Sequence, residues 1–355
     1  MFEQLSLIDH HCHGVVRRDL SLTALESHLT EAAVGSFASR IGLAVRRWCA
    51  PVLDLPAHAP AEDYVDRRTA LGFDEVNARF LGAAGLHALC VDTGYTPEPI
   101  LSPAELGALA GGPAYEIVRL EEVAESLHGA VTAGGFPDAF RSLLDTRCTA
   151  AVGVKSIAAY RVGLGLAAER PADTEVVTAA AHWLAGPARL ADPVLQRFLI
   201  WCGADLGLPV QFHVGLGDAD VDMRSCDPLL LTGLIRNLRV PVMLLHNYPF
   251  HREAGYLAQV FDNVYVDVGL ATHNLGDRAT VLVEETLELA PFTKLLFSSD
   301  AFGLPEFYHL SAVLFRRGLA SVLGSGVSEG SWTAADADRL AELVAVENAT
   351  RAYGL

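Results

Sequence analysis

The chain has 355 residues, of which 51% are hydrophobic and 19% charged, with a net charge of −17. A nucleic-acid binder would need a basic stripe that this balance excludes, and half the residues being apolar supplies a large core. No basic segment followed by an apolar core opens the chain, and no apolar stretch reads as long and clean enough to span a membrane, so a cytoplasmic protein is expected.

In chain order, eight short apolar runs read as strands, near 5–9, 86–92, 115–120, 150–155, 208–213, 241–246, 263–268 and 294–299. Most are continuous rather than alternating, as parallel strands covered on both faces should be. Stretches at helical spacing lie between them, among them 175–190, 228–237, 280–290 and 334–346. Strand and helix alternating eight times predicts an α/β fold, a (β/α)8 TIM-type barrel. The gap at 14–85 is too long for one connection and carries helical pattern, so a helical insertion after the first strand is expected over the barrel mouth. No linker or repeat divides the chain, which predicts a single domain over 1–355. The cysteines Cys12, Cys49, Cys90, Cys148, Cys202 and Cys226 are scattered, several in apolar runs, and read as buried free thiols in a reducing compartment.

Four strand ends carry metal-ligand types. The first is Asp9-His10-His11-Cys12-His13, followed by His213, His246 and Asp300. Strand ends are where a β/α barrel builds its active site, and imidazoles with a carboxylate suit Zn²⁺ or a similar divalent ion. Side chains alternate along a strand, so His11 and His13 should share one face, with Asp9 behind them and His10 and Cys12 on the other.

With Ile8-Asp9-His10-His11-Cys12-His13, Val154-Lys155-Ser156-Ile157-Ala158-Ala159-Tyr160-Arg161, Phe297-Ser298-Ser299-Asp300, Pro305-Glu306 and Glu347-Asn348-Ala349-Thr350-Arg351 in place, the chain resembles the amidohydrolase superfamily. Within it, the chain is similar to the branch whose members occur alone or fused to glutamine-synthetase-like domains, which are absent here. The resemblance implies that His11, His13, Asp300 and His213 hold a metal. It makes His246 a second-metal ligand or an acid/base that polarises the substrate. Lys155 would be a carbamylated bridge between two ions, an ammonium that binds substrate, or purely structural. One or two ions are therefore open, as is the choice among zinc, manganese and iron.

The activity this implies is hydrolysis of an amide-type C–N bond in a small carboxylate-bearing molecule by metal-activated water, with Asp300 and His246 catalytic. The alternatives are a mononuclear metal-dependent non-oxidative decarboxylase, an isomerase of a sugar acid, and a barrel that keeps a merely structural metal. Arg119, Tyr160, Arg161 and Tyr95 follow strands and are substrate-binding candidates, arginine's planar fork suiting a carboxylate, with structural ion pairs the alternative for the two arginines. Asp92 and Asp267 read as orienters of ligands. His251 and His273 read as loop residues, solvated or else touching substrate, Glu306 as structural or a support for the ligands rather than a ligand itself, and His28, His58, His87, His128, His182 and His309 as having no ligand-like context. A small-molecule substrate is the expected partner, with no nucleic acid and no membrane, and a homo-oligomer is possible.

Overall fold

The computed structural model describes residues 2–30 and 35–355. Seven parallel strands form one sheet in sequential order: β1 (Leu7–Cys12), β2 (Leu86–Asp92), β3 (Ala114–Arg119), β4 (Gly153–Ser156), β5 (Val210–Val214), β6 (Val242–His246) and β7 (Val264–Val266). The eighth predicted strand is present only as single bridges, Leu295 to Val266 and Phe297 to Asp9, so one irregular segment joins the two edges of the curled sheet. This is an α/β fold of TIM type.

Its strands read as apolar runs because both faces are covered. Ile8, Ala88, Cys90, Ile117, Met243, Leu245 and Leu296 form an inner core, closed from one side by Ala349, Ala352 and Tyr353. Leu7, Leu89, Val91, Val118, Val210, Phe212, Leu244 and Phe297 belong to the larger outer core shared with the helices. The helix Pro193–Asp205 shows how sequence places a boundary: Asp192 accepts from the amides of Val194 and Leu195, and Pro193 occupies the first turn.

The predicted helices at 175–190, 280–290 and 334–346 correspond to Asp173–Leu184, Ala279–Thr286 and Ala334–Glu342, and 228–237 contains a short 3₁₀ turn before Thr232–Asn237. Between β1 and β2 the described residues include the helices Leu22–Leu29, Arg40–Ala44, Ala61–Leu71 and Phe73–Ala84. Residues 31–34 of the expected 14–85 insertion lie outside the described residues.

Two expectations are corrected. The helix Glu306–Glu329 is long and apolar enough to cross a membrane by length and composition, contrary to the reading that no stretch qualifies. It lies against the barrel, burying Phe307, Tyr308, Leu310, Phe315 and Arg316, and Arg316 donates to the carbonyls of Leu5, Ala84 and Gly85. Simple alternation also fails in β1, where the register with β2 shifts between Asp9 and Cys12. An irregularity of this kind re-aims side chains. His10 enters the barrel interior beside Ile8's neighbours, and only Cys12 joins the outer core. All six cysteines are free and buried, as expected.

Candidate metal centre

β1 delivers His11, with His13 directly after its end, and the segment after Phe297 returns Asp300 beside them. The Asp300 amide donates to the His11 carbonyl at 3.0 Å, and the Ser298 hydroxyl reaches the same carbonyl. Asp9 accepts from both the amide and the hydroxyl of Ser299, which pins this segment from behind. Burial pushes the Asp9 carboxyl up to about 7 against those hydrogen bonds.

Asp300 divides its oxygens. Oδ1 lies 3.1 Å from His11 Nε2 and 3.4 Å from His13 Nε2, while Oδ2 faces His246 Nδ1 at 3.7 Å. The ligating atoms of His11, His246 and Asp300 converge closely enough for one ion, as do those of His11, His13 and Asp92. His213 stands beside this cluster, its ring 4.6 Å from that of His246 and equally close to Tyr160. Lys155 Nζ sits 2.8 Å from His11 Nε2 and 3.7 Å from Asp92 Oδ2.

The electrostatics suit ligation. Burial, reinforced by Lys155, pushes the His11 and His213 imidazoles down to about 3, and burial holds His246 well below its ordinary range. Neutral imidazole is the form that binds a cation. Burial alone would raise the Asp300 carboxyl, but His246, His11 and His13 around it reverse this and hold it well below the usual carboxylate range. Burial lowers Lys155, with Asp92 and Asp300 opposing.

Among the described residues, His213 Nε2 and both ring nitrogens of His246 are buried without a hydrogen-bond partner. Such orphaned nitrogens are costly unless something binds them. The donor set of imidazoles and one carboxylate therefore fits a divalent ion. His246 and Asp300 also hold left-handed backbone, φ 69° and 49°, a strain of the kind that clusters at functional sites.

A cavity of about 550 Å³ opens above the cluster, bounded by His13, Lys155, His213, His246 and Asp300 at its floor. Arg119, Tyr160, Arg161 and Tyr95 all line it. Arg119 is committed to Asp92 Oδ2 by two bonds, at 2.6 and 3.1 Å, so it braces that carboxylate as well as facing the cavity. Arg161 pairs with Glu125 at 3.1 Å, yet its Nε is buried with no partner among the described residues. Tyr95 is half exposed and packs on Phe302.

The two histidines read as loop residues are both helical. His273 lines the cavity, stacked on Phe307 and bonded to the Ser311 hydroxyl, whereas His251 lies elsewhere, paired with Glu285 at 2.9 Å. Glu306 is structural, held by Tyr64 and Arg68. His28, set aside on sequence, lines the cavity with Ser27, Leu29 and Thr30. Its helix gives no local signal, because only the path of the long first connection brings it there. Phe302 was also missed. It packs near His13, His28 and Tyr95, and its place two residues after Asp300 was the available cue.

Residues 129–355 match the profile of the family described as Amidohydrolase. Protein fluG of Emericella nidulans is 32% identical over 276 residues, 67% of this chain and 32% of that protein, so the chain spans about a third of this curated relative's length. A Lactobacillus casei ATCC 334 protein assigned as a metal-dependent hydrolase has the same fold with a TM-score of 0.82 and 31% identity, covering 99% of this chain and 96% of that one. The fold is shared with uronate isomerase of Thermotoga maritima (TM-score 0.66, 13% identity, 99% and 95% covered) and glucuronate isomerase of Caulobacter crescentus (0.67, 17%, 99% and 92%). With the family profile matched across most of its length and the histidine–aspartate cluster at its strand ends, the chain belongs to the amidohydrolase family.

Proposed function

We propose that this protein is a metal-dependent hydrolase that cleaves an amide-type C–N bond in a small carboxylate-bearing molecule. The observation that carries the reading is the divided Asp300 carboxylate, with Oδ1 turned to His11 and His13 and Oδ2 left facing His246 across 3.7 Å at the cavity floor. The 31%-identical relative assigned as a metal-dependent hydrolase supports the same direction.

His11, His13, His213 and Asp300 would hold the ion, with His246 either a ligand of a second ion or left free to act on the substrate; the imidazole-rich set suits zinc, with manganese or iron also compatible. When bound, a divalent ion polarises a carbonyl and lowers the pKa of water. Asp300 Oδ2 is the oxygen free to take a proton from the attacking water and return it to the leaving nitrogen. A neutral His246 can donate a hydrogen bond to the oxygen on which negative charge develops. Arg161 in the cavity wall suits a substrate carboxylate, with Tyr160 and Tyr95 flanking the same cavity.

Lys155 and an ion compete for His11 Nε2. Binding the ion leaves Lys155 either as an ammonium turned toward Asp92 and the substrate, or as a carbamate carrying oxygen ligands toward a second ion. Six buried thiols suit a reducing compartment, consistent with the cytoplasm.

The test is a panel of N-acyl amino acids and side-chain amides of dicarboxylic amino acids, incubated with zinc-loaded protein and followed for released amine. Metal-dependent amine release is expected. Release of CO₂ from carboxylic acids without any amine release would replace this reading with decarboxylation.

A further inference from the structure

Beneath the histidine cluster lies a chain of buried polar groups that the proposed chemistry does not use. Tyr353, at the end of the helix Asn348–Tyr353, enters the inner core with Ile8, Cys90, Ile117 and Met243. Its hydroxyl is 2.9 Å from His10 Nδ1 and accepts from Gln211 Nε2 at 2.8 Å. His10 Nε2 lies 2.8 Å from Asp267 Oδ2, and Asp267 Oδ1 accepts from the amides of His246 at 2.8 Å and Gly269 at 2.7 Å.

The directions of these bonds follow from the groups themselves. A carboxylate only accepts, so His10 Nε2 donates to Asp267, and a neutral His10 then accepts on Nδ1. The Tyr353 hydroxyl must then donate to His10, leaving its oxygen for Gln211. Gln211 cannot be flipped, because the same Nε2 also donates to the His10 carbonyl at 2.9 Å.

The path ends on the peptide of a residue with φ 69°, a conformation that needs support from its surroundings. It also touches every strand that bears a site histidine. His10 adjoins His11 on β1, Gln211 stands two residues before His213 on β5, and Asp267 binds His246 at the end of β6. A buried tyrosine needs a partner for its hydroxyl, but satisfying that need alone does not require a closed path to the peptide of a site residue.

We propose that Tyr353 is a positioning residue. Through His10 and Asp267 its hydroxyl holds the strained His246 peptide so that the ring faces Asp300, and through Gln211 it sets β5 against β1. This rests on the reading of the cluster as a divalent-metal centre.

The experiment measures Zn²⁺ affinity by competition with a chromogenic chelator, and the visible absorption of the Co²⁺-loaded protein, for wild type, Tyr353→Phe, Asp267→Asn and the double variant. Tyr353→Phe should bind Zn²⁺ about 2- to 10-fold more weakly, the worth of one hydrogen bond, with an altered cobalt band. Asp267→Asn should weaken binding about 10- to 100-fold, as removal of a group that orients ligands does, and the double variant should be no weaker than Asp267→Asn alone. Wild-type affinity and an unchanged cobalt band in Tyr353→Phe, or full additivity, would overturn the proposal while leaving the metal reading intact. If wild type binds neither ion, the metal reading fails and the proposal fails with it. Should Tyr353→Phe not fold, His10→Gln interrupts the same path: weaker binding supports the proposal and wild-type binding overturns it.

Discussion

Asp300→Asn is expected to lower turnover of the amide substrate by about 10²- to 10⁴-fold, the usual contribution of a positioned acid–base group, while the thermal midpoint stays close to that of wild type. Asparagine keeps the size of the side chain but removes its charge and replaces one acceptor oxygen with a donor. That donor would face either the His11 and His13 nitrogens or His246, at positions where the carboxylate now offers Oδ1 and Oδ2. The amide cannot take up a proton from water at neutral pH, so the effect should fall on kcat more than on KM. Rates near those of wild type in a folded Asp300→Asn variant would remove Asp300 from the mechanism.

The largest effect on stability is expected outside the ligand cluster, at Arg68. Its guanidinium donates to both oxygens of Glu306, at 2.6 and 3.3 Å, and Tyr64 adds a bond at 2.9 Å. Arg68 is 5% exposed and Glu306 fully buried, so neither charge has water to fall back on. Arg68→Met should destabilise the protein by about 3–5 kcal/mol, because a buried carboxylate is left with one tyrosine hydroxyl. Arg68→Met combined with Glu306→Leu should recover most of that loss, since no uncompensated charge remains. Denaturant unfolding of the three proteins measures it. A single variant within about 1 kcal/mol of wild type would show that the pair does not tie the first connection to the Glu306–Glu329 helix.

The barrel was legible because parallel strands covered on both faces leave unbroken apolar runs, and the ligand types stood directly at the ends of those runs. His11, His13, His246 and Asp300 do meet, with His213 and Lys155 beside them. Strict alternation put His10 and Cys12 on one side, whereas His10 lies in the inner core with Tyr353 and Cys12 in the outer one, because the register shift in β1 is set by pairing with β2 and leaves no mark in the composition. His28 and the Arg68–Glu306 pair were invisible for a related reason: both depend on how a connection of some seventy residues folds back, and helical spacing carries no information about that path. Arg119 shows a further limit. Its place at a strand end suggested substrate contact, and spacing alone could not reveal that its guanidinium is engaged by Asp92. Lys155 stays chemically ambiguous on sequence because carbamylation is decided by its surroundings, here a buried amine against His11 Nε2.

The most direct measurement is elemental analysis of protein expressed with bicarbonate and zinc or manganese and purified without chelator, for wild type, the His11→Ala/His13→Ala double variant and Lys155→Ala. The account predicts at least one divalent ion per wild-type chain and its loss from the double variant. A fall from about two ions to fewer in Lys155→Ala would identify the carbamate bridge, and an unchanged single ion would make Lys155 a substrate residue. Folded wild-type protein that retains no stoichiometric metal, or a double variant that keeps it all, would contradict the assignment of this cluster as a metal centre.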